Sequence, residues 1–165
     1  MLLRNLRWPA APGDAKDSAV RIDSRLSRML HALIHMDRLP GAATSETLAG
    51  MLSTNPVVVR RTMAGLRTHG LVTSEKGHGG GWALARPLAD ITLLDIYRAL
   101  GDPPLFAIGL ADDDPKCPIE RAVNGALCGA LSEAEAGLLR RFADVSLADL
   151  SSDFRPTCAP GDEPD

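Results

Sequence analysis

Arg60 and Arg61 stand side by side in a segment whose apolar residues Val59, Met63 and Leu66 recur at helical spacing. A helix with that core stripe leaves both guanidinium groups, with Val57, Val58 and Arg67, mostly on its other side. Such an arginine can form paired hydrogen bonds to guanine, and a valine can contact a thymine methyl. Beyond this helix, Lys76 and His78 are the only side chains in the glycine-rich run 76–81 able to reach a nucleic acid. The chemistry these residues offer is recognition.

The elements that must position them follow from the flanking residues. Thr44-Ser45-Glu46-Thr47 supplies cap oxygens and a first-turn acid, and Leu48, Ala49, Met51 and Leu52 supply an apolar face, so a short helix is expected. Ser53-Thr54-Asn55-Pro56 is a turn, with Asn55 as N-cap and Pro56 at the first helical position. The second helix runs from Pro56 to His69 and stops at Gly70. Strands are expected over Leu71–Glu75 and Trp82–Ala85, joined by the glycine tip. A helix-turn-helix followed at once by a hairpin is a winged helix. Its recognition helix and wing form one docking surface for duplex DNA.

Charge agrees. Residues 20–86 hold nine basic and four acidic side chains, net +5, whereas 87–165 hold six and fifteen, net −9. The formal charge of −3 therefore hides a basic half suited to phosphate.

The first helix, Ser24 to Met36, carries Leu26, Leu30, Leu33 and Ile34 as its core stripe. His31 and His35 lie one turn apart on it, but two ligands fall short of a zinc site, so they read as surface or packing residues and no metal is expected. Thr92-Leu93-Leu94-Asp95 opens a helix by a capping box. The longest helical pattern, Pro118 to Ala143, carries Ile119, Val123, Leu127, Ala130, Ala134 and Leu138, widened by Leu131, Leu139 and Phe142. It exceeds what one small domain needs and fits a partner, although it could cover its own domain instead. Ser146-Leu147-Ala148-Asp149 caps a last short helix.

An enzyme is the competing class, and the residues exclude it. His78-Gly79-Gly80-Gly81 resembles an oxyanion-hole tetrad, but the Gly-x-Ser-x-Gly nucleophile elbow is absent from the sequence. No phosphate loop follows the glycines.

Gly70-Leu71-Val72, Gly77 with Gly79-Gly80-Gly81-Trp82-Ala83-Leu84-Ala85, and Ile91-Thr92-Leu93-Leu94-Asp95-Ile96 together resemble the Rrf2 family of bacterial winged-helix transcription regulators. The resemblance spans about Arg21 to Leu100, with Trp82 standing where the family usually has tyrosine. It implies DNA contacts at Asn55, Val57, Val58, Arg60 and Arg61 on the recognition helix and at Lys76 on the wing. Ser24, Arg25 and Arg28 then contact phosphate, which positions the protein without reading sequence. Arg60-Arg61 departs from the acidic or amide residues of some relatives, so their operator does not transfer. The resemblance also implies a homodimer through the long helix.

Cluster-binding members of the family place three close cysteines before the long helix. Here only Cys117 occupies that region, and Cys128 lies eleven residues on, about 16 Å along a helix axis. That separation is too great for a disulfide or one compact cluster, so neither an iron–sulphur cluster nor another cofactor is expected. Cys117 precedes Pro118 at the long helix's N-terminus, where the dipole favours thiolate. It reads either as a redox-sensing thiol or as a small apolar residue tucked beneath the helix start.

The expected fold is mostly α with a small β-hairpin, a winged helix-turn-helix domain plus a long C-terminal dimerisation helix. The chain divides into an extension at 1–19, the DNA-binding domain at 20–101, a linker at 102–117, dimerisation helices at 118–154 and a loose tail at 155–165. Residues 1–19 match nothing in the family and lack the apolar core of a secretory signal. Translation is expected to start at Val20, which the intact mass of the native protein checks. The function expected is that of a homodimeric regulator, most simply a repressor, of a pseudo-palindromic site. Its partners are double-stranded DNA, a second copy, and a small-molecule or redox effector. A cytoplasmic location fits three unpaired cysteines, and no apolar run is long enough for a membrane. The alternative is a dimeric scaffold that no longer reads DNA.

Overall fold

A computed structural model describes residues 23–75, 77, 80–111 and 116–152. The elements in order are α1 (Arg25–Asp37), α2 (Ser45–Met51), α3 (Pro56–Thr68), β1 (Val72–Ser74), β2 (Trp82–Leu84), a 3₁₀ turn (Leu88–Asp90), α4 (Leu93–Ala99), α5 (Pro118–Asp144) and α6 (Leu147–Ser152). The proposed extension at 1–19 and tail at 155–165, with Cys158, lie outside the described residues.

Four of the six helices start at a side-chain cap. The Thr44 hydroxyl accepts from the Thr47 amide at 3.1 Å, and Asn55 Oδ1 accepts from the Val57 amide at 2.8 Å. Thr92 and Asp95 close a reciprocal capping box, at 3.0 and 3.1 Å. Ser146 and Asp149 repeat it at 2.8 and 3.2 Å, and the Ser146 hydrogen bonds hold the Asp149 carboxyl below the usual carboxylate range. At the other end of α3, Gly70 takes φ +68°, which lets the Leu71 amide reach back to the Leu66 carbonyl at 3.0 Å.

β1 and β2 pair antiparallel with Val72 opposite Leu84 and Ser74 opposite Trp82. Ala43 adds a third edge: its amide and carbonyl exchange hydrogen bonds of 2.8 Å with Trp82. The loop before α2 thereby ties the wing to the helix-turn-helix. The strands are shorter than expected, although Glu75 and Gly81 still exchange backbone hydrogen bonds one step beyond Ser74 and Trp82.

One core joins every element except α5. Leu33, Leu48, Val59, Met63, Leu66, Leu71, Ile91, Ile96 and Leu147 are fully buried in it. Leu147 arrives from the far end of the chain, guided by an isolated bridge between Thr92 and Ser146. Two expectations need correction. The buried face of α1 is Met29, Ala32, Leu33 and Met36, with Leu26, Leu30 and Ile34 only partly buried beside it. Met51 is exposed, so the apolar face of α2 ends in Leu48, Ala49 and Leu52.

Trp82 packs with its indole Nε1–H donating to Ser45 Oγ at 3.0 Å inside the core. Ser45 is the buried polar residue of this region, and the bond is its reason. Ser45→Ala leaves a buried donor unsatisfied and is expected to cost about 1–3 kcal/mol. A urea melt followed by tryptophan fluorescence checks it. A loss below about 0.5 kcal/mol would mean that the indole has water or another acceptor.

α5 behaves differently from all other helices. Its 27 residues span about 40 Å, and none is buried. The apolar stripe read from the sequence divides in two. Leu138, Leu139 and Phe142 are half-buried, and α5 packs on α4, with the Phe142 ring 6.0 Å from Tyr97 in an edge-on contact. Toward the other end, Ile119, Val123 and Leu127 remain 74%, 52% and 42% exposed.

Candidate nucleic-acid interface

The core stripe of α3 forces its opposite face outward. Val59, Met63 and Leu66 are buried, and a rotation of about 100° per residue leaves Val57, Val58, Arg60 and Arg61 exposed. Val57 and Val58 are large hydrophobic side chains in full view of solvent, at the first turn of the helix. Asn55, at the N-cap, is exposed too, but its side-chain oxygen is occupied by the cap bond to Val57. Its amide N–H₂ is the part left to meet a partner.

The arginines differ in their surroundings. Arg61 and Arg28 are exposed and form no ion pair with another described residue. Arg60 reaches Glu46 on α2, Nη2 to Oε1 at 3.3 Å. Arg67 donates to Ser74 Oγ at 3.1 Å and so spans from α3 to the wing. Arg25 is clamped by Asp23, with nitrogen–oxygen distances of 2.6–3.0 Å. The Arg25 hydrogen bonds hold the Asp23 carboxyl below its usual range, and Asp23 raises the guanidinium in return. Arg25 must open that pair to reach a phosphate, whereas Arg28 need not. Ser24 precedes α1 as its N-cap residue without a side-chain cap bond, so its hydroxyl is available.

Lys76 and His78 lie outside the described residues. The backbone around them is still informative. Glu75 and Gly81 exchange hydrogen bonds at 2.8 and 3.1 Å, and the Gly80 amide reaches the Gly77 carbonyl at 2.9 Å. The base of the tip is therefore tightly closed. A Cβ on Gly80 would lie 2.5 Å from the Glu75 carbonyl oxygen, and one on Gly81 would lie 2.5 Å from that of Ala43. These two glycines serve close approach to the protein's own backbone.

Between α2, α3 and the wing lies a shallow, open cleft of about 290 Å³ lined by Glu46, Arg60, Ser74, Glu75 and Trp82, among others. Neither the cleft nor the Glu46–Arg60 pair was visible to sequence reasoning, since fourteen residues separate the partners. His31 and His35 pack ring to ring, centroids 4.5 Å apart, as surface histidines do.

The geometry thus brings Val57, Val58, Arg60 and Arg61 onto one exposed helix face beside a closed hairpin. The Rrf2 family model, described as an iron-dependent transcriptional regulator, matches residues 22–153. This chain belongs to the Rrf2 family of transcriptional regulators. It is 36% identical over 132 residues to the HTH-type regulator YwnA of Bacillus subtilis, covering 78% of this chain and 96% of that protein. A crystal structure of a transcriptional regulator from Lactobacillus plantarum superposes with a TM-score of 0.67 at 26% identity, over 80% of this chain and 90% of that one. T. potens IscR shares the fold, with a TM-score of 0.60 at 21% identity over 87% and 95% of the two chains. The Rrf2 chain is accordingly a DNA-binding regulator with a winged-helix fold, and it is not an enzyme. No helix among the described residues is long and apolar enough to cross a membrane.

Proposed function

We propose that this Rrf2 protein is a homodimeric repressor that binds a pseudo-palindromic operator from the cytoplasm. The observation that carries the reading is the outer face of α3. Two large apolar side chains and two guanidinium groups stand exposed there, beside a wing held by Ala43 and Arg67. Val57, Val58, Arg60, Arg61 and Asn55 meet base edges in the major groove. Ser24, Arg28 and, once released by Asp23, Arg25 meet phosphates, while Lys76 and His78 come from the wing tip. The exposed apolar stripe at Ile119, Val123 and Leu127 supports a second copy as the partner of α5.

The family model's description invokes iron, and the described residues do not fit a cluster. Cys117 and Cys128 are both on α5, with about 16 Å of helix between them. No group of three or more His, Cys, Asp or Glu side chains that could hold a metal occurs among the described residues. The reading is therefore of a regulator controlled without a resident cofactor, through Cys117 oxidation or a small-molecule effector. Cys117 is the N-cap residue of α5, half-buried, with no side-chain cap bond, and its thiol is thus uncommitted. Diamide would take the two electrons and two protons released as two such thiols form a disulfide between copies.

Fluorescence anisotropy with duplex DNA from the protein's own promoter, at two salt concentrations, tests the reading. Tight binding that weakens steeply with salt is expected. Binding no tighter than to random-sequence duplex would favour a scaffold that no longer reads DNA. Diamide is expected to release the wild-type protein, and Cys117→Ser is expected to bind equally well and ignore the oxidant. An identical response in both proteins would remove Cys117 as the switch and leave an effector.

A further inference from the structure

Glu46 is an acidic side chain beside the arginine-bearing face of α3, and its place in the fold suggests why. It occupies the first turn of α2, and its carboxylate meets Arg60 across the helix-turn-helix at 3.3 Å. Both side chains are open to solvent, 67% and 61% exposed, so the pair contributes little to folding. The pair also lines the cleft between α2, α3 and the wing, with Glu75 on the same wall. A contact that adds little stability, yet holds the first arginine of the exposed α3 face, bears on what that arginine does.

Two physical effects act on Arg60. An arginine side chain is long and rotamer-rich, so tethering one nitrogen restricts where the remaining N–H groups can point. Among the described residues Arg60 has no hydrogen-bond partner besides Glu46, which leaves most of its donors for a base edge. The second effect is repulsion. With guanine present, the guanidinium is satisfied on both sides, by O6 and N7 on one and by the carboxylate on the other. With another base there, Arg60 turns to a phosphate or to solvent, and Glu46 is left as an unpaired anion in the field of the DNA backbone. The carboxylate thus penalises the wrong base more than the right one.

We infer that Glu46 is a specificity-determining residue that works through Arg60, positioning its guanidinium and rejecting sites that lack a guanine beneath it. The inference rests on the DNA-binding reading above. The test uses the full chain and a pool of random-sequence duplexes. Wild type, Glu46→Gln, Arg60→Met and the double variant are each carried through selection and then titrated against the enriched site and against unselected pool.

Wild type is expected to enrich a site with one guanine per half-site that depends on Arg60. Glu46→Gln is expected to bind the unselected pool several-fold more tightly and to lose about tenfold preference at that base pair alone. In the Arg60→Met background, Glu46→Gln is expected to leave that preference unchanged. Equal base preference in wild type and Glu46→Gln would overturn the inference while leaving DNA reading intact. So would an effect of the same size with and without Arg60, since Glu46 would then act only as a nearby charge. If wild type enriches no sequence, the DNA-binding reading falls and this inference with it. Glu46 is exposed and makes no core contact, and matching thermal melts of the variants would show that folding is not the cause.

Discussion

Leu127→Glu protein is expected to sediment as a monomer and to bind its operator about 10²–10⁴-fold more weakly, while keeping an intact winged-helix domain. The reason lies in how α5 is used. No residue of its 27 is buried, yet Ile119, Val123 and Leu127 form an apolar stripe that points away from the core. Covering each such side chain releases about 1.5–3 kcal/mol relative to full exposure, and in the proposed two-fold dimer each one counts twice. A glutamate at position 127 removes that contribution from both copies and brings two carboxylates into an apolar contact, where burial of an unpaired charge costs several kcal/mol. Each protomer then binds its half-site alone and forfeits the effective concentration that linkage confers. Sedimentation and anisotropy on full-site and half-site duplexes measure both losses. A variant that remains dimeric would place the interface elsewhere. One that is monomeric but binds the full site as tightly as before would show that dimerisation does not contribute to recognition. Far-ultraviolet circular dichroism should change little, because Leu127 touches none of the core residues that hold α1 to α4 together.

Recognition of the fold from sequence succeeded wherever the cause is local. The caps at Thr44, Asn55, Thr92 and Ser146 each join residues two or three apart, so their residue types state them directly. The buried stripe of α3 was legible for the same reason, since no second stripe competes with Val59, Met63 and Leu66. α1 offered two overlapping stripes that share Leu33. The more hydrophobic set, Leu26, Leu30 and Ile34, looked the better core. The helices and strand packed on α1 chose Met29, Ala32 and Met36 instead, which no property of α1 alone reveals. Contacts between distant residues were illegible throughout. The Glu46–Arg60 pair and the Ala43–Trp82 backbone bridge join residues brought together only by the packed fold, which composition and periodicity do not encode. Of the candidate site, sequence therefore supplied the face of α3 but not the groups that aim or restrain its arginines. The extent of α5 was legible to within a residue at its C-terminal end. Its division into a half that packs on Tyr97 and a half left open was not.

The glycine-rich wing supports the other large expected effect. Gly81→Ala is expected to destabilise the protein by about 3 kcal/mol, a large share of the 5–15 kcal/mol that holds a domain folded. A methyl group there would stand 2.5 Å from the Ala43 carbonyl oxygen and 2.7 Å from its carbon. Both are backbone atoms, so no side chain can rotate away. Relief requires Ala43 and Trp82 to separate, and these residues share two hydrogen bonds of 2.8 Å. Trp82 would also withdraw its indole from Ser45. The wing would loosen from the helix-turn-helix, and DNA affinity would fall with it. Gly50 supplies the control. It lies in α2, and nothing stands within 4 Å of an added Cβ, so Gly50→Ala is expected to stabilise by about 0.5–1 kcal/mol through helix propensity. The same chemical change thus acts with opposite sign at two glycines. Thermal melts of the two variants decide the matter. A Gly81→Ala protein as stable as wild type would mean that the wing has room to shift.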